Sequence, residues 1–303
     1  MKKIYVSLLH YNAYQSLILS IIALKKLKVP EGFSLSIVVV DNLSDEKKLK
    51  KIRKKFPEVT FLPQKENFGA TKGFNIGYRF GISHDAQYLV MLSPDLRMRE
   101  DAIEKLVKTM EKDKTIGIAS CKMLTFTKPP KIFFVQGLLD KKLKTTIHVG
   151  IGEIDKGQYD EADENDFLNC PMLIRANVFK KVGYFEEKLF MYYEDIDWHT
   201  RIKKAGFRLT CVKDAIAWNL QPDRDSKLRF KKEYYLARNH LWFIHRHFSF
   251  RDQFIAYIYV LKNMLTLFLT TKKYDHLRRK YILMGYLDFL INRMGKKDFG
   301  ILE

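Results

Sequence analysis

Tyr192, Tyr193, Glu194, Asp195 and Asp197 stand together in the run FMYYEDIDW, in a chain whose 54 Lys and Arg outnumber its 35 Asp and Glu. Neighbouring carboxylates and apolar walls push carboxyl pKa values up, whereas cations and hydrogen-bond donors pull them down. A carboxylate in such a cluster can take a proton at neutral pH, the work of a general base. The same residues also suit a helix N-terminus, where acids meet the positive end of the dipole. The local sequence leaves both readings open.

Two further patterns could carry chemistry. Asp95 follows Pro94 after an apolar run, a place where one carboxylate can hold Mg or Mn together with substrate phosphates; Pro-Asp is equally an ordinary turn. The stretch ENFGATKGFNIG puts Gly69, Gly73 and Gly77 on one bare helical stripe, able to admit a ligand or to pack closely on a neighbouring element. Neither a dinucleotide GxGxxG nor a GxxxxGK[ST] phosphate loop is present.

The elements that would position these residues alternate. Strands are predicted at 4–9, 36–40, 59–62, 87–92 and 117–120. Helices are predicted at 14–27, 45–55, 69–80 and 101–112. This βαβ order predicts a mostly parallel sheet with crossover helices. Asn12, Asp41, Asn42 and Asp95 each follow a strand, and in an open parallel sheet such ends line the ligand crevice. Residues 122–166 read as loops with an antiparallel excursion, followed by a strand at 169–175 and helices at 177–182 and 194–204.

With 303 residues, 47% of them hydrophobic, the chain can bury a large core, and its formal charge of +19 favours polyanionic partners. No RRM, KH or helix-turn-helix pattern supports nucleic acid. Cys121, Cys170 and Cys211 lack CxxC spacing, which argues against a disulfide framework or zinc cluster and fits a reducing cytoplasm. The start reads as a first strand, without a leader cleavage pattern. The most apolar stretch, 254–271, is interrupted by Lys262 and Asn263 and flanked by Arg246, Arg251, Lys272, Lys273, Arg278, Arg279 and Lys280. It is expected to lie along an anionic membrane surface, or to face a core or a second copy, and not to span a bilayer.

Taken in order, HYN at 10–12, VDN at 40–42, ENFGATKGFNIG at 66–77, SPD at 93–95 and the run 169–207 containing the acidic cluster resemble the inverting family 2 glycosyltransferases. The likeness is strongest to the bacterial rhamnosyltransferase-like branch. It extends to about residue 220, with an echo in YYLARN at 234–239 and GYLDFLINRMGK at 285–296. The resemblance implies the GT-A fold, a Rossmann-like nucleotide-diphospho-sugar transferase with a mostly parallel sheet flanked by helices. It divides the chain into a transferase domain, 1–221, and a helical basic region, 222–303, for membrane association or oligomerisation.

The same resemblance implies a nucleotide-diphosphate sugar as donor and a glycan or lipid-linked acceptor, with the protein cytoplasmic or peripheral on the inner face of the cell membrane. Tyr11, Asn12, Asp41, Asn42, Asn67, Gly69, Lys72, Asn75 and Asp95 would bind the donor, Asp41 meeting its base and Asp95 its diphosphate and a divalent Mg or Mn. Asp195 would be the general base, with Glu194 and Asp197 supporting it. Two departures stand out: Ser93 where the family usually has Asn, and Asn219 where a metal-binding His is common. An Asn carbonyl is a poorer Mn ligand than imidazole. A catalytically degenerate nucleotide-sugar binding or scaffold protein is the alternative expectation.

Overall fold

The computed structural model describes residues 1–140, 142–161, 163–220, 226–269 and 275–299. The first half alternates β1 (Lys2–His10), α1 (Tyr14–Leu24), β2 (Phe33–Asp41), α2 (Glu46–Lys55), β3 (Thr60–Pro63), α3 (Gly69–Ser83) and β4 (Ala86–Leu92). A short β5 (Leu96–Met98), α4 (Ala102–Lys112) and β6 (Ile116–Thr125) follow. Next come β7 (Ile132–Phe134), a hairpin of β8 (Gln136–Leu139) and β9 (Thr146–Val149), then β10 (Met172–Arg175), α5 (Ala176–Val182), α6 (Glu194–Lys204) and β11 (Arg208–Asn219). Three helices close the chain: α7 (Ser226–His247), α8 (Phe250–Leu269) and α9 (Asp275–Leu290).

The main sheet runs β3-β2-β1-β4-β10-β6-β11-β5, with β7 beside β6. β3, β2, β1 and β4 are parallel neighbours, as are β6 and β11, while β10 runs antiparallel between β4 and β6. The β-branched runs IVVV of β2 and YLVML of β4 are buried on both faces, which is why they lack polar alternation. The α4 helix shows the opposite pattern, burying Ala102, Ile103, Leu106, Val107 and Met110 at helical spacing.

Element boundaries move where tertiary contacts intervene. β6 continues to Thr125 instead of ending at Ser120, because Lys122 lies buried in it and forms ion pairs with Asp155 at 2.6 Å and Asp160 at 2.7 Å. Those pairs pin the loop-rich stretch back onto the sheet. The first helix stops at Leu24, not residue 27.

The glycine stripe of α3 is used for packing. A side chain at Gly73 would run into Leu9, one at Gly77 into Ser7, and one at Gly81 into Leu89 and Tyr5, so the helix lies directly on the strands. The boundary expected near 221 falls outside the described residues. Beyond it, Phe243, Ile244 and Ala256 belong to the same hydrophobic core as the sheet, and Tyr234, Tyr235 and Tyr281 cluster with Phe190. Among the described residues no helix is long and apolar enough to cross a membrane.

Candidate active site

Parallel pairing brings the polar strand ends together. His10 stands opposite Asp41 in register, Leu8 opposite Leu92, and the Asn12 amide donates to Ser44 Oγ at 2.9 Å. Asn12, Asp41, Asn42 and Asp95 therefore occupy one edge of the sheet. Their accessibility differs sharply. Tyr11 and Asn12 are exposed, and Asp95, Asn67 and Lys72 are partly so.

Asp41, expected to meet a nucleotide base, is buried and turned toward His10 and Ser44. One oxygen meets His10 Nδ1 at 2.7 Å and the other accepts from the Ser44 amide at 3.0 Å. Burial pushes this carboxyl up, but the His10 and Ser44 hydrogen bonds outweigh it and hold the pKa below the usual range. Asn42 is also buried; its Nδ2 donates to the Gly69 carbonyl at 2.9 Å, while its Oδ1 has no hydrogen bond among the described residues.

Gly69 and Asn75 likewise serve the fold at the places where donor contacts were expected. Gly69 has φ +75° and abuts Phe190, leaving no room for a side chain or a ligand. Asn75 is fully buried. Its Nδ2 donates to the Phe185 carbonyl and to Glu187, each at 3.0 Å, and its Oδ1 accepts from the Phe185 amide. The free N–H groups at the start of α3, a ready anion site in principle, are taken by the Phe190 carbonyl, which accepts from Ala70 at 2.8 Å and Thr71 at 3.2 Å. Asn67 caps the Gly69 amide at 2.9 Å, and the Lys72 ammonium lies 3.6 Å from the centre of the Phe68 ring.

The acidic cluster opens α6, as both sequence readings required. Glu194, Asp195 and Asp197 lie in its first turn, and Tyr193 enters it with φ 69° and no side-chain cap. Trp198 anchors the helix: it is fully buried, donates to the Gly183 carbonyl at 2.8 Å and packs on Tyr78, Phe179 and Phe185. Burial, reinforced at Glu194 by the charge of Asp195, raises the pKa of both carboxyls well above the usual range. Glu194 Oε2 has no hydrogen-bond partner among the described residues, while Asp195 Oδ1 accepts from the Ile196 amide at 2.8 Å.

Asp197 departs from its expected place beside the base. Two positions from Asp195, it projects from a different side of the helix and is completely buried. Arg201 donates to Oδ2 through Nε at 3.0 Å and Nη2 at 2.9 Å, and His247 Nε2 lies 2.7 Å from Oδ1. Burial raises this carboxyl, but the His247 hydrogen bond and the Arg201 and Arg246 charges overcome it and hold the pKa down. A carboxylate held ionised by two guanidinium charges and the His247 hydrogen bond makes a poor proton acceptor; it ties α6 to α7.

Cys170 links the two acidic sites. It donates to the Met91 carbonyl at 3.1 Å. Burial pushes its thiol up, Ser93 hydrogen bonds pull it back, and the charges of both Asp95 and Asp195 add to the rise. The side chain thus packs on the end of β4, within reach of the charges at Asp95 and Asp195. The thiol itself is held protonated, so it packs and does not attack.

Asp95 and Asn219 are the residues placed to hold a divalent cation. Asn219, at the end of β11, pairs with Leu96 in register, and the Leu220 amide donates to the Asp95 carbonyl at 3.1 Å, so backbone pairing sets Asn219 beside Asp95. One carboxylate and one neutral amide make a hard-oxygen pair suited to Mg or Mn that arrives with diphosphate oxygens. No group of three His, Cys, Asp or Glu among the described residues forms a metal cage.

Sequence reasoning missed His10, His247, Arg238 and Asn239. The histidines carry no local signal, since their acid partners are 31 and 50 residues away. The YYLARN echo was the available sign for the other two.

A glycosyl transferase family 2 model matches residues 6–183. The chain is 24% identical over 229 residues to the low-salt glycan biosynthesis hexosyltransferase Agl10 of Haloferax volcanii, covering 72% of this chain and 66% of that one. It is 25% identical over 181 residues to the dTDP-rhamnosyl transferase RfbF of Shigella flexneri, covering 59% of this chain and 57% of that one. It therefore spans less than two thirds of either relative. Among solved structures, GalNAc-T7 with UDP, GalNAc and Mn2+ superposes with a TM-score of 0.65 at 15% identity, over 96% of this chain and 57% of that one. The mannosyltransferase PcManGT of Pyrobaculum calidifontis, in complex with GDP-Man and Mn2+, does so with a TM-score of 0.60 at 13% identity, over 96% and 87%. These structures establish the GT-A fold, a mixed α/β sheet with flanking helices, here followed by a helical C-terminal region. With more than half of its length matched by the family model and the ordered motifs on one edge of that sheet, the chain belongs to glycosyl transferase family 2.

Proposed function

We propose that the protein transfers a hexose, rhamnose or a similar deoxyhexose, from a nucleotide-diphosphate sugar to a hydroxyl of a glycan or lipid-linked acceptor, with inversion. The observation that carries this reading is the Glu194–Asp195 carboxylate pair in the first turn of α6, in a chain that the family 2 model matches over residues 6–183. In a single displacement, Asp195 takes the acceptor proton as the hydroxyl attacks the anomeric carbon and the nucleoside diphosphate leaves from the opposite face. Its raised pKa suits a base working near neutrality. Glu194, raised further in the same apolar surroundings, keeps its proton more readily and so leaves the base role to its neighbour. A divalent cation, when bound with the diphosphate at Asp95, would supply charge for the departing phosphate. Tyr11, Asn12 and Lys72 are the open polar side chains on the donor edge.

Replacing Asp195 with Asn should lower turnover by about 10² to 10⁴ while leaving donor affinity near normal. Comparable turnover in that variant would sink the assignment. The second reading, a donor-binding protein without transfer, is favoured by Asn219 standing beside Asp95; donor hydrolysis or transfer above background excludes it.

The acceptor side is proposed to face an anionic membrane through α8. Phe250, Phe254, Ile258, Leu261 and Leu265 recur every three or four residues and are 52–83% exposed, while Ala256 and Val260 on the other side are buried. Exposed Arg251 and Lys262 flank the stripe, the arrangement of a helix lying in a lipid interface. Co-sedimentation with anionic but not zwitterionic vesicles, lost in Phe254→Glu, is expected. Dimerisation without lipid, abolished by the same change, would assign the stripe to a second copy.

A further inference from the structure

The turn that delivers Glu194 and Asp195 cannot be held by its own residues. Phe190 sits at φ 66°, ψ −54°, the strained γ-turn of positive φ, closed by the Met191 amide donating to the Leu189 carbonyl at 2.8 Å. Tyr192 and Tyr193 follow at φ 65° and 69°. None of the three is glycine, each such residue costs about 1–3 kcal/mol, and such a backbone persists only where its surroundings over-determine it.

The Ala70 and Thr71 amides of α3 hold the Phe190 carbonyl, and side-chain donors from α7 hold the carbonyls on either side of it. Asn239 Nδ2 donates to the carbonyls of Leu189 at 3.1 Å, Met191 at 2.8 Å and Tyr192 at 2.8 Å. Arg238 Nη2 donates to the Leu189 carbonyl at 3.0 Å, and its Nε to Asn239 Oδ1 at 2.9 Å. That last bond decides which end of the amide faces the turn. Both side chains are buried, at 1% and 0% exposure. Behind them, Arg238 Nη1 donates to Tyr234 Oη at 3.2 Å and to the Gly295 carbonyl at 2.8 Å, and Tyr234 donates to Asp288 at 2.7 Å. Gly285 lets α9 press against the Tyr234 carbonyl, so the helix carrying the clamp is itself fixed.

We propose that Arg238 and Asn239, in the YYLARN segment, are positioning residues that hold the 189–193 turn in its high-energy form and so set where Asp195 stands. The proposal rests on the reading of Asp195 as base, but the clamp itself can be tested without it. Neither residue touches substrate; each acts through backbone carbonyls. Losing the amide leaves the turn free to relax, and an ångström of misplacement at a reacting group can cost about a hundredfold in rate.

The decisive experiment pairs kinetics with hydrogen exchange in Asn239→Ala. Turnover should fall about tenfold to a hundredfold with donor KM nearly unchanged, and amides at 189–193 should exchange faster while those of β1 and β4 do not. Adding Tyr192→Gly, which adopts positive φ without the Cβ penalty, should restore about fivefold of the lost turnover. A purely structural role would not be rescued by a glycine in the turn. Unchanged exchange at 189–193, or equal activity losses with and without that glycine, would overturn the proposal. If Asp195→Asn retains transfer, the base reading fails and the exchange result alone judges the clamp. Should Asn239→Ala not fold, Arg238→Lys, which keeps the charge but loses the guanidinium fork, gives the same readouts.

Discussion

At the carboxyl ends of β1, β2 and β4, a parallel ladder sets the strands, and only single residues just past them, Asn12 at φ 52° and Leu43 at φ 65°, turn to positive φ. At 189–193, Phe190, Tyr192 and Tyr193 hold positive φ, and donors from α7 fix the backbone. The donor edge is built from strands that their local patterns announce and that regular backbone ladders join, the β1–β4 pairing included. The base turn is built from residues nearly fifty positions apart, and its geometry is imposed from outside. A polar edge at strand ends can follow from sheet topology, whereas a turn of three positive-φ residues needs support from outside itself.

The contrast predicts unequal sensitivity. Asp197→Ala should destabilise the fold by about 3 kcal/mol, the lower end for a broken buried pair, because His247 and the partly buried Arg201 lose their shared buried partner. Urea unfolding would measure it, and a loss below about 1 kcal/mol would mean that α6 and α7 are not tied at this point. On the donor side, Gly77→Ala should cost about 1–3 kcal/mol by forcing α3 off Ser7 of β1, with no selective effect on turnover once folded. A turnover defect in folded Gly77→Ala would erase the distinction between the two regions.

The smallest effect concerns pH. Burial raises the folded pKa of Glu194, so the native state binds its proton more tightly than the unfolded chain does. Stability therefore falls as pH rises from about 4 toward that raised value. Glu194→Gln removes this contribution. The variant should match the parent at the acid end and exceed its stability above neutrality, as read by denaturant melts across pH. An unchanged pH slope would place Glu194 in a solvated site, unlike the turn described.

Much of the donor half was legible. The apolar runs of β1, β2 and β4 and the helical stripe of α4 announce their elements by periodicity alone, and the βαβ alternation announces the parallel pairing. Asp95 and Asp195 were findable as residues, because acids beside a proline turn and between aromatics are locally unusual. Gly69 and Asn75, expected to bind the donor, have packing contacts that the sequence did not announce: a glycine stripe has the same spacing whether it admits a ligand or the side chains of β1. Asp197 looked equivalent to Asp195 because a one-letter string shows crowding but not the side of the helix.

The sequence by itself determined the alternating sheet, the family and the presence of an acidic pair at a helix start, all consequences of short-range periodicity and ordered motifs. Only the tertiary structure decided which carboxylates share the site, that Asp41 and Asp197 are held by His10 and His247, and that α7 clamps the turn before Asp195. These outcomes depend on pairings between distant residues, and on backbone strain that persists only when remote donors restrain it.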